Sequence, residues 1–224
     1  MSLFSATGRG PVKPAMILGF MWFAYFLNYA DRQAVFAMFP SLRADLRMSD
    51  EQLGMVGAAF LWVYAFGCPV AGHFADRWSK RALAVASLAL WSGVTFCTGL
   101  VTSATGLLVL RSAMGISESL FMPGAIALTA NAHPEHLRSR AIAFLTTAQI
   151  AGTIGGSIMG GWMADQGLWR TAFFALGGIG LAYAVPYLFF LRTLSPSLDA
   201  GGQSGAAADP AWRAASAGRR APPA

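Results

Sequence analysis

The chain is short of charge. Only 12% of its 224 residues are Asp, Glu, Lys or Arg, about half of what a soluble domain carries, so a water-exposed globule of this size is excluded. Cysteine is nearly missing: Cys68 and Cys97 are the two present. Each sits inside an apolar block, where thiols serve packing and neither a disulfide nor redox or metal work is expected. The histidines come without cysteines or carboxylates at metal-ligand spacing, so neither metal nor cofactor is expected, and His133 and His136 read as solvated. No glycine-rich phosphate loop and no nucleophile–base set occurs, and nothing argues for an enzyme. A basic surface interleaved with aromatics is also missing, which excludes nucleic acid as a partner despite a pI near 9.9.

What the chain has instead is apolar length. Hydrophobic residues make up 55% of it and its mean hydropathy is +0.51. A spanning helix needs about 20 apolar residues to cross hydrocarbon. Six blocks meet that length: 15–39, 52–74, 82–102, 105–131, 139–164 and 171–192. The reading is an all-α, multi-pass membrane protein of six transmembrane helices. Its first block is too long, and too interrupted by Asp31 and Arg32, for a cleavable signal peptide.

The basic residues are distributed by loop. Eleven of the 16 Lys and Arg fall before the first block or after the second, fourth and sixth; Arg43, Arg47 and Arg170 fall on the other side. The positive-inside rule then places both termini in the cytoplasm. Residues 1–14 form a cytoplasmic segment, 15–194 the bundle, and 195–224, rich in Ala, Gly, Pro and Ser, a disordered tail or the start of a linker. Ser49 and Gln52 are spaced as a capping box opening the second span, after a polar loop at 41–51. A second polar loop is expected at 133–140. The small residues of AGTIGGSIMGG, 151–161, suit close helix packing. The two sets of three spans resemble each other only in general character, so no repeat is established.

Two blocks carry charge where lipid penalises it by at least about 2.5–3.5 kcal/mol. These are Asp31 and Arg32 in the first span, and Arg111 and Glu118 in the fourth. Seven residues make almost two turns, so Arg111 and Glu118 share a face about 10 Å apart. That is too far for direct pairing, and their partners are expected on span one. Such a set is either a structural brace between helices or a pathway in which substrate binding and protonation are coupled. Four such residues in two helices favour the pathway. A second cluster, GHFADRWSKR at 72–81, ends span two, where Asp76 and Arg77 suit a conformational latch. Tyr29, Tyr64 and Gln149 lie mid-span; taken singly, each reads as a packing or hydrogen-bonding residue.

Together these segments resemble the major facilitator superfamily, specifically its N-terminal six-helix half. GHFADRWSKR is similar to the family's loop between helices two and three through Gly72, Asp76, Arg77, Lys80 and Arg81, with Ser79 in place of a glycine. RSAMGISESLFMPGA, 111–125, resembles the helix-four pattern R-x-x-x-G-x-x-E-x-x-x-x-P-G. LNYADR at 27–32 and PEHLRSRA at 134–141 extend the likeness to Arg192. Within the superfamily, LNYADRQ is similar to the anion:cation symporters and equally to the spinster-like transporters.

The first resemblance implies proton coupling by Asp31 and Glu118, with Arg111 modulating Glu118. It also implies substrate binding by Arg32, Tyr29, Tyr64 and Gln149. The partners would be protons, a small organic anion such as a sugar acid or carboxylate, and the lipid bilayer of a bacterial inner membrane. The superfamily works by rocking two halves around a central site. This chain is therefore expected to be a truncated half needing a C-terminal half or a second copy. The alternatives are a spinster-like exporter of amphipathic, lipid-like or drug-like molecules, or a non-transporting remnant that binds a partner.

Overall fold

The structure, a computed structural model, describes residues 14–77 and 79–194, and for 74–77 the backbone alone. Arg9, Lys13, the side chains of Asp76 and Arg77, and the expected tail therefore lie outside the described residues. The described chain is eight helices without a strand: α1 (Pro14–Ala37), α2 (Phe39–Leu46), α3 (Asp50–Arg77), α4 (Lys80–Thr98), α5 (Ala104–Ser119), α6 (Phe121–Ala132), α7 (Glu135–Asp165) and α8 (Trp169–Thr193).

Five segments are long and apolar enough to cross a membrane: α3, α4, α5 with α6, α7 and α8. α1 has the length, 24 residues, or about 36 Å, but carries Asn28, Asp31 and Arg32 in its second half.

Local chemistry sets the boundaries. Ser49 and Gln52 form the expected capping box: the Ser49 amide donates to Gln52 Oε1 at 3.1 Å, and the Gln52 amide to Ser49 Oγ at 3.2 Å. The segment expected as a loop at 41–51 instead contains α2. Pro40 stands in its first turn, where the absent N–H costs nothing, and Arg47 ends it in the left-handed region at φ 51°. α2 lies across the bundle end: Ser41 Oγ donates to the Ala164 carbonyl at 3.2 Å, and Trp169 Nε1 donates to Asp45 Oδ2 at 2.7 Å.

The fourth span is broken. α5 ends at Ser119 and α6 begins at Phe121, with Pro123 in its first turn unable to donate back. Ser87 of α4 donates its hydroxyl to the Ser117 carbonyl beside this break. The loop expected at 133–140 is largely helix, since α7 starts at Glu135. His133, expected to be solvated, is instead buried, with Nδ1 2.8 Å from the Thr129 carbonyl; His136 is exposed.

The main helix pairs are α1 with α7, α4 with α8, and α3 with α5. Exchanging α1, α3 and α4 for α5–α6, α7 and α8 in order leaves this pattern unchanged, a twofold regularity that residue identities alone do not reveal. Small residues set the closest approaches. Gly152, Gly156 and Gly160 of α7 lie against the backbone of Phe26, Ala30 and Ala34 on α1, and Gly115 of α5 lies against Phe60 and Tyr64 on α3. The glycines of span five thus serve packing, as expected.

The buried apolar side chains form two clusters, one around Met21, Trp91, Phe121 and Tyr187 and the other around Met38, Leu42, Trp169 and Phe173. Along α1, the first runs from Ile17 to Tyr25 and the second from Ala30 to Met38. Asp31 and Arg32 fall at the start of the second run, and Arg111 and Glu118 lie along α5 between Leu107 of the second cluster and Phe121 of the first.

Candidate functional site

Four helices bring polar side chains together where the two clusters meet. α1 supplies Asn28, Asp31 and Arg32, α3 adds Tyr64, α4 contributes Thr95, and α5 contributes Arg111 and Glu118. Of the charges of span one, Arg32 finds its ion-pair partner on α5, as the sequence suggests, whereas Asp31 is bonded by α4; the four charges sum to zero.

Arg32 pairs with Glu118. Its Nε donates to Glu118 Oε2 at 3.2 Å, and Nη2 donates to the same oxygen. Glu118 is completely buried, whereas the Arg32 side chain keeps 20% of its surface open. Three rings surround the guanidinium, with centroids 4.9 Å (Tyr29), 4.7 Å (Phe60) and 5.2 Å (Tyr64) from Cζ. Tyr29 precedes Arg32 by three residues, so a single α1 face presents both. Each such contact contributes roughly 0.5–2 kcal/mol, depending on desolvation. The result is a flat cation held between rings and bonded to a buried carboxylate, with a fifth of its side chain still exposed.

Asp31 points about 100° away from Arg32 around the helix and is buried deeper, at 3% exposure. Thr95 of α4 donates its hydroxyl to Asp31 Oδ2. Arg111, 2% exposed, has Asp31 as its strongest electrostatic neighbour and Glu118 as the next, without direct ion-pair contact. Its Nη1 reaches Met114 Sδ at 3.2 Å, and its Cζ lies 5.5 Å from the Phe173 ring centroid. Asp31 Oδ1, Glu118 Oε1, Arg111 Nε and Nη2, and the Asn28 amide make no hydrogen bond of standard geometry. Buried polar atoms left without partners are costly. Most of them here belong to Asn28 and to three of the four charged side chains.

Of the expected site residues, the structure brings together Tyr29, Asp31, Arg32, Tyr64, Arg111 and Glu118. Gln149 sits half-buried on α7, one turn from Gly152 and its contact with Tyr29, and makes no hydrogen bond to the cluster. In the expected latch, Gly72 is half-buried near the end of α3, and Lys80 opens α4. Arg81 Nη1 donates to the Leu194 carbonyl at 2.7 Å, tying the end of α8 to the start of α4. Asn28, Phe60 and Thr95 escaped the sequence reading. Asn28 stands one turn before Asp31, a spacing that carries a signal; Thr95 and Phe60 have none that a single chain displays. No group of three or more metal-ligating side chains occurs among the described residues.

A family model described as Major Facilitator Superfamily matches residues 21–221. The chain belongs to the Major Facilitator Superfamily.

Two groups recur among its relatives. One holds a probable sulfoacetate transporter, SauU, of Cupriavidus necator, 34% identical over 79% of this chain and 41% of the relative. With it stands a probable galactarate/D-glucarate transporter, GudP, of Bacillus subtilis, 30% identical over the same shares. The other group includes protein spinster homolog 1 of Xenopus laevis, 28% identical over 85% of this chain and 36% of the relative. A bacterial homolog of the human lysosomal transporter spinster, solved inward-facing and occupied, superposes with a TM-score of 0.73 at 24% identity. That match covers 84% of this chain and 46% of the solved one, and it establishes the fold. The chain thus spans about two-fifths of the length of the curated relatives it matches. Both the family and these relatives are transporters.

Proposed function

We propose that this chain is the N-terminal half of a secondary active transporter that couples proton movement to uptake of a small organic anion, a sugar acid or carboxylate. α1 serves as a sixth span, and both termini face the cytoplasm of a bacterial inner membrane. The observation that carries this reading is the partly exposed Arg32 side chain, its guanidinium held between Tyr29, Phe60 and Tyr64 and paired with buried Glu118.

An incoming carboxylate competes with Glu118 for that guanidinium, which is suited to two parallel hydrogen bonds. Glu118, stripped of its cation in a buried site, is cheapest in its neutral form. Anion binding and proton uptake are thereby linked. Asp31, with Thr95 and Arg111 around it, is the second proton carrier. The names of the sulfoacetate and galactarate/D-glucarate relatives support an anionic substrate. A central site of this superfamily is completed by a second six-helix unit rocking against the first. That unit is a C-terminal half or a second copy of this chain.

The test is uptake of hexonates and hexuronates into proteoliposomes under an inward proton gradient, with the chain joined to its second unit. Glu118→Gln should abolish gradient-driven accumulation, and Arg32→Gln should raise KM at least tenfold. Accumulation by Glu118→Gln at the wild-type level removes the coupling assignment.

A spinster-like exporter is the second reading, and one observation favours it. An almost wholly apolar groove of about 540 Å³ lies between α3 and α5, lined by Val63, Phe66, Val70, Ile116 and Leu120. Such a wall suits an amphipathic substrate. Preference for lipid-like over sugar-acid substrates in the same vesicles decides for it.

A further inference from the structure

α4 and α8 meet backbone to backbone along one half of their length and through side chains along the other. Gly177 lies against the backbone of Phe96 and Ser92, and Gly180 against the Ser92 side chain. Towards the start of α4 and the end of α8, no glycine remains and bulky residues face each other. A groove of about 340 Å³ opens there, lined by Ser79, Arg81, Val85, Leu188, Leu191 and Arg192.

Its chemistry is graded with depth. Arg81 is the second residue of α4 and Arg192 the next-to-last of α8, so both stand where the helices leave the membrane. Val85 and Leu188 are each four residues further in, about 6 Å deeper. Arg81 is anchored by its bond to the Leu194 carbonyl. Arg192 is exposed and has no ion-pair partner among the described residues.

A cationic mouth above an apolar wall, between two membrane-crossing helices, complements a phosphate above an acyl chain. We infer that this groove binds one anionic phospholipid, its phosphate between Arg81 and Arg192 and one chain against Val85, Leu188 and Leu191. The site depends on membrane placement alone and is independent of what the protein transports. Because the lipid would join the start of α4 to the end of α8, it would brace the pair where backbone contact ends.

Native mass spectrometry of the full chain in mild detergent, titrated separately with phosphatidylglycerol and phosphatidylcholine, tests this. Phosphatidylglycerol should bind more tightly. Arg192→Gln should weaken its binding about fivefold, equivalent to about 1 kcal/mol, and leave phosphatidylcholine unchanged. Arg81→Gln should do the same, and if loss of the Leu194 contact unfolds it, Arg192→Gln decides alone. Arg47→Gln removes an equal charge at the far end of the bundle and should change nothing. Equal affinity for the two lipids, or an Arg192→Gln effect no larger than that of Arg47→Gln, overturns the inference. Displacement of the lipid by millimolar glycerol phosphate also overturns it, because the groove would then be a site for free phosphate.

Discussion

The seam between α1 and α7 permits a graded test by adding a single methyl group. At Gly156, an added Cβ would meet the carbonyl and Cα of Ala30; at Gly160, it would come within 2.8 Å of the Ala34 carbonyl oxygen. Both obstacles are backbone inside a helix, so neither can turn aside as a side chain would. At Gly155, the nearest atoms belong to the Phe26 ring at 3.5 Å, an ordinary contact, and at Gly161 nothing lies within 4 Å. Alanine gains up to about 1 kcal/mol over glycine in a helix interior, and that gain is shared by all four positions. It cancels when Gly156→Ala is compared with Gly161→Ala, leaving the cost of forcing the helices apart. Overpacking costs about 1–3 kcal/mol, and an immovable backbone places this case at the upper end. The expected order of stability is therefore Gly161→Ala at or above wild type, Gly155→Ala close behind, then Gly160→Ala, with Gly156→Ala about 3 kcal/mol below Gly161→Ala. Equilibrium unfolding of the purified chain, titrated with SDS from mild detergent micelles, measures these differences. Equal stability of Gly156→Ala and Gly161→Ala would refute the view that α1 and α7 meet backbone to backbone.

Two further substitutions probe hydrogen bonds that span the bundle. Thr95→Val keeps the shape but leaves both Asp31 oxygens without a donor, since Oδ1 has none already; a bond to a charged group is worth about 1.5–3 kcal/mol. The loss should register in the same unfolding titration, while Thr95→Ser retains wild-type stability, and a neutral Thr95→Val would mean that Asp31 does not depend on α4. Trp169→Phe removes the 2.7 Å bond to Asp45 that fastens α2 to α8 while keeping most of the ring buried. It should cost about 1–2 kcal/mol and speed amide exchange across 39–46; unchanged exchange there would show that packing of Leu42 and Leu46 holds α2 by itself.

Element type was legible because each long apolar block had one physical solution in lipid. The capping box at Ser49 and Gln52 was legible because its donors and acceptors lie three residues apart. α2 was not: its Arg43, Asp45 and Arg47 gave it a loop-like polarity, and Leu42 and Leu46 have value only once α7 and α8 are beneath them. The break at Leu120 was hidden because Pro123 is compatible with a helix beginning as well as with one continuing. His133 was misread from its basic neighbourhood, since its burial depends on its own helix offering the Thr129 carbonyl. At the site, the four charges declared themselves by their cost in hydrocarbon. Which cation meets which anion did not, because Asp31 and Arg32 are adjacent and only the helix rotation decides between them.

The structure places the two arginines in different surroundings. Arg32 keeps part of its side chain exposed, and its carboxylate partner is buried; Arg111 is 2% exposed and stacked over Phe173 of α8. A ligand arriving from the exposed side can compete for Arg32 without parting any helices. To reach Arg111 it would have to displace Asp31, Thr95 and the packing between α4 and α5 together. Under the proposed reading, the Arg32–Glu118 pair is the one a ligand opens, with proton uptake by buried Glu118 offsetting the loss of its cation, and the Asp31–Arg111 neighbourhood is the one that a change of helix packing opens. Under the proposed transport reading, these are successive events. The first answers to the substrate and the second to the rocking of the bundle, and Asn28, one turn from Asp31 and beside Glu118, is the side chain placed to feel both.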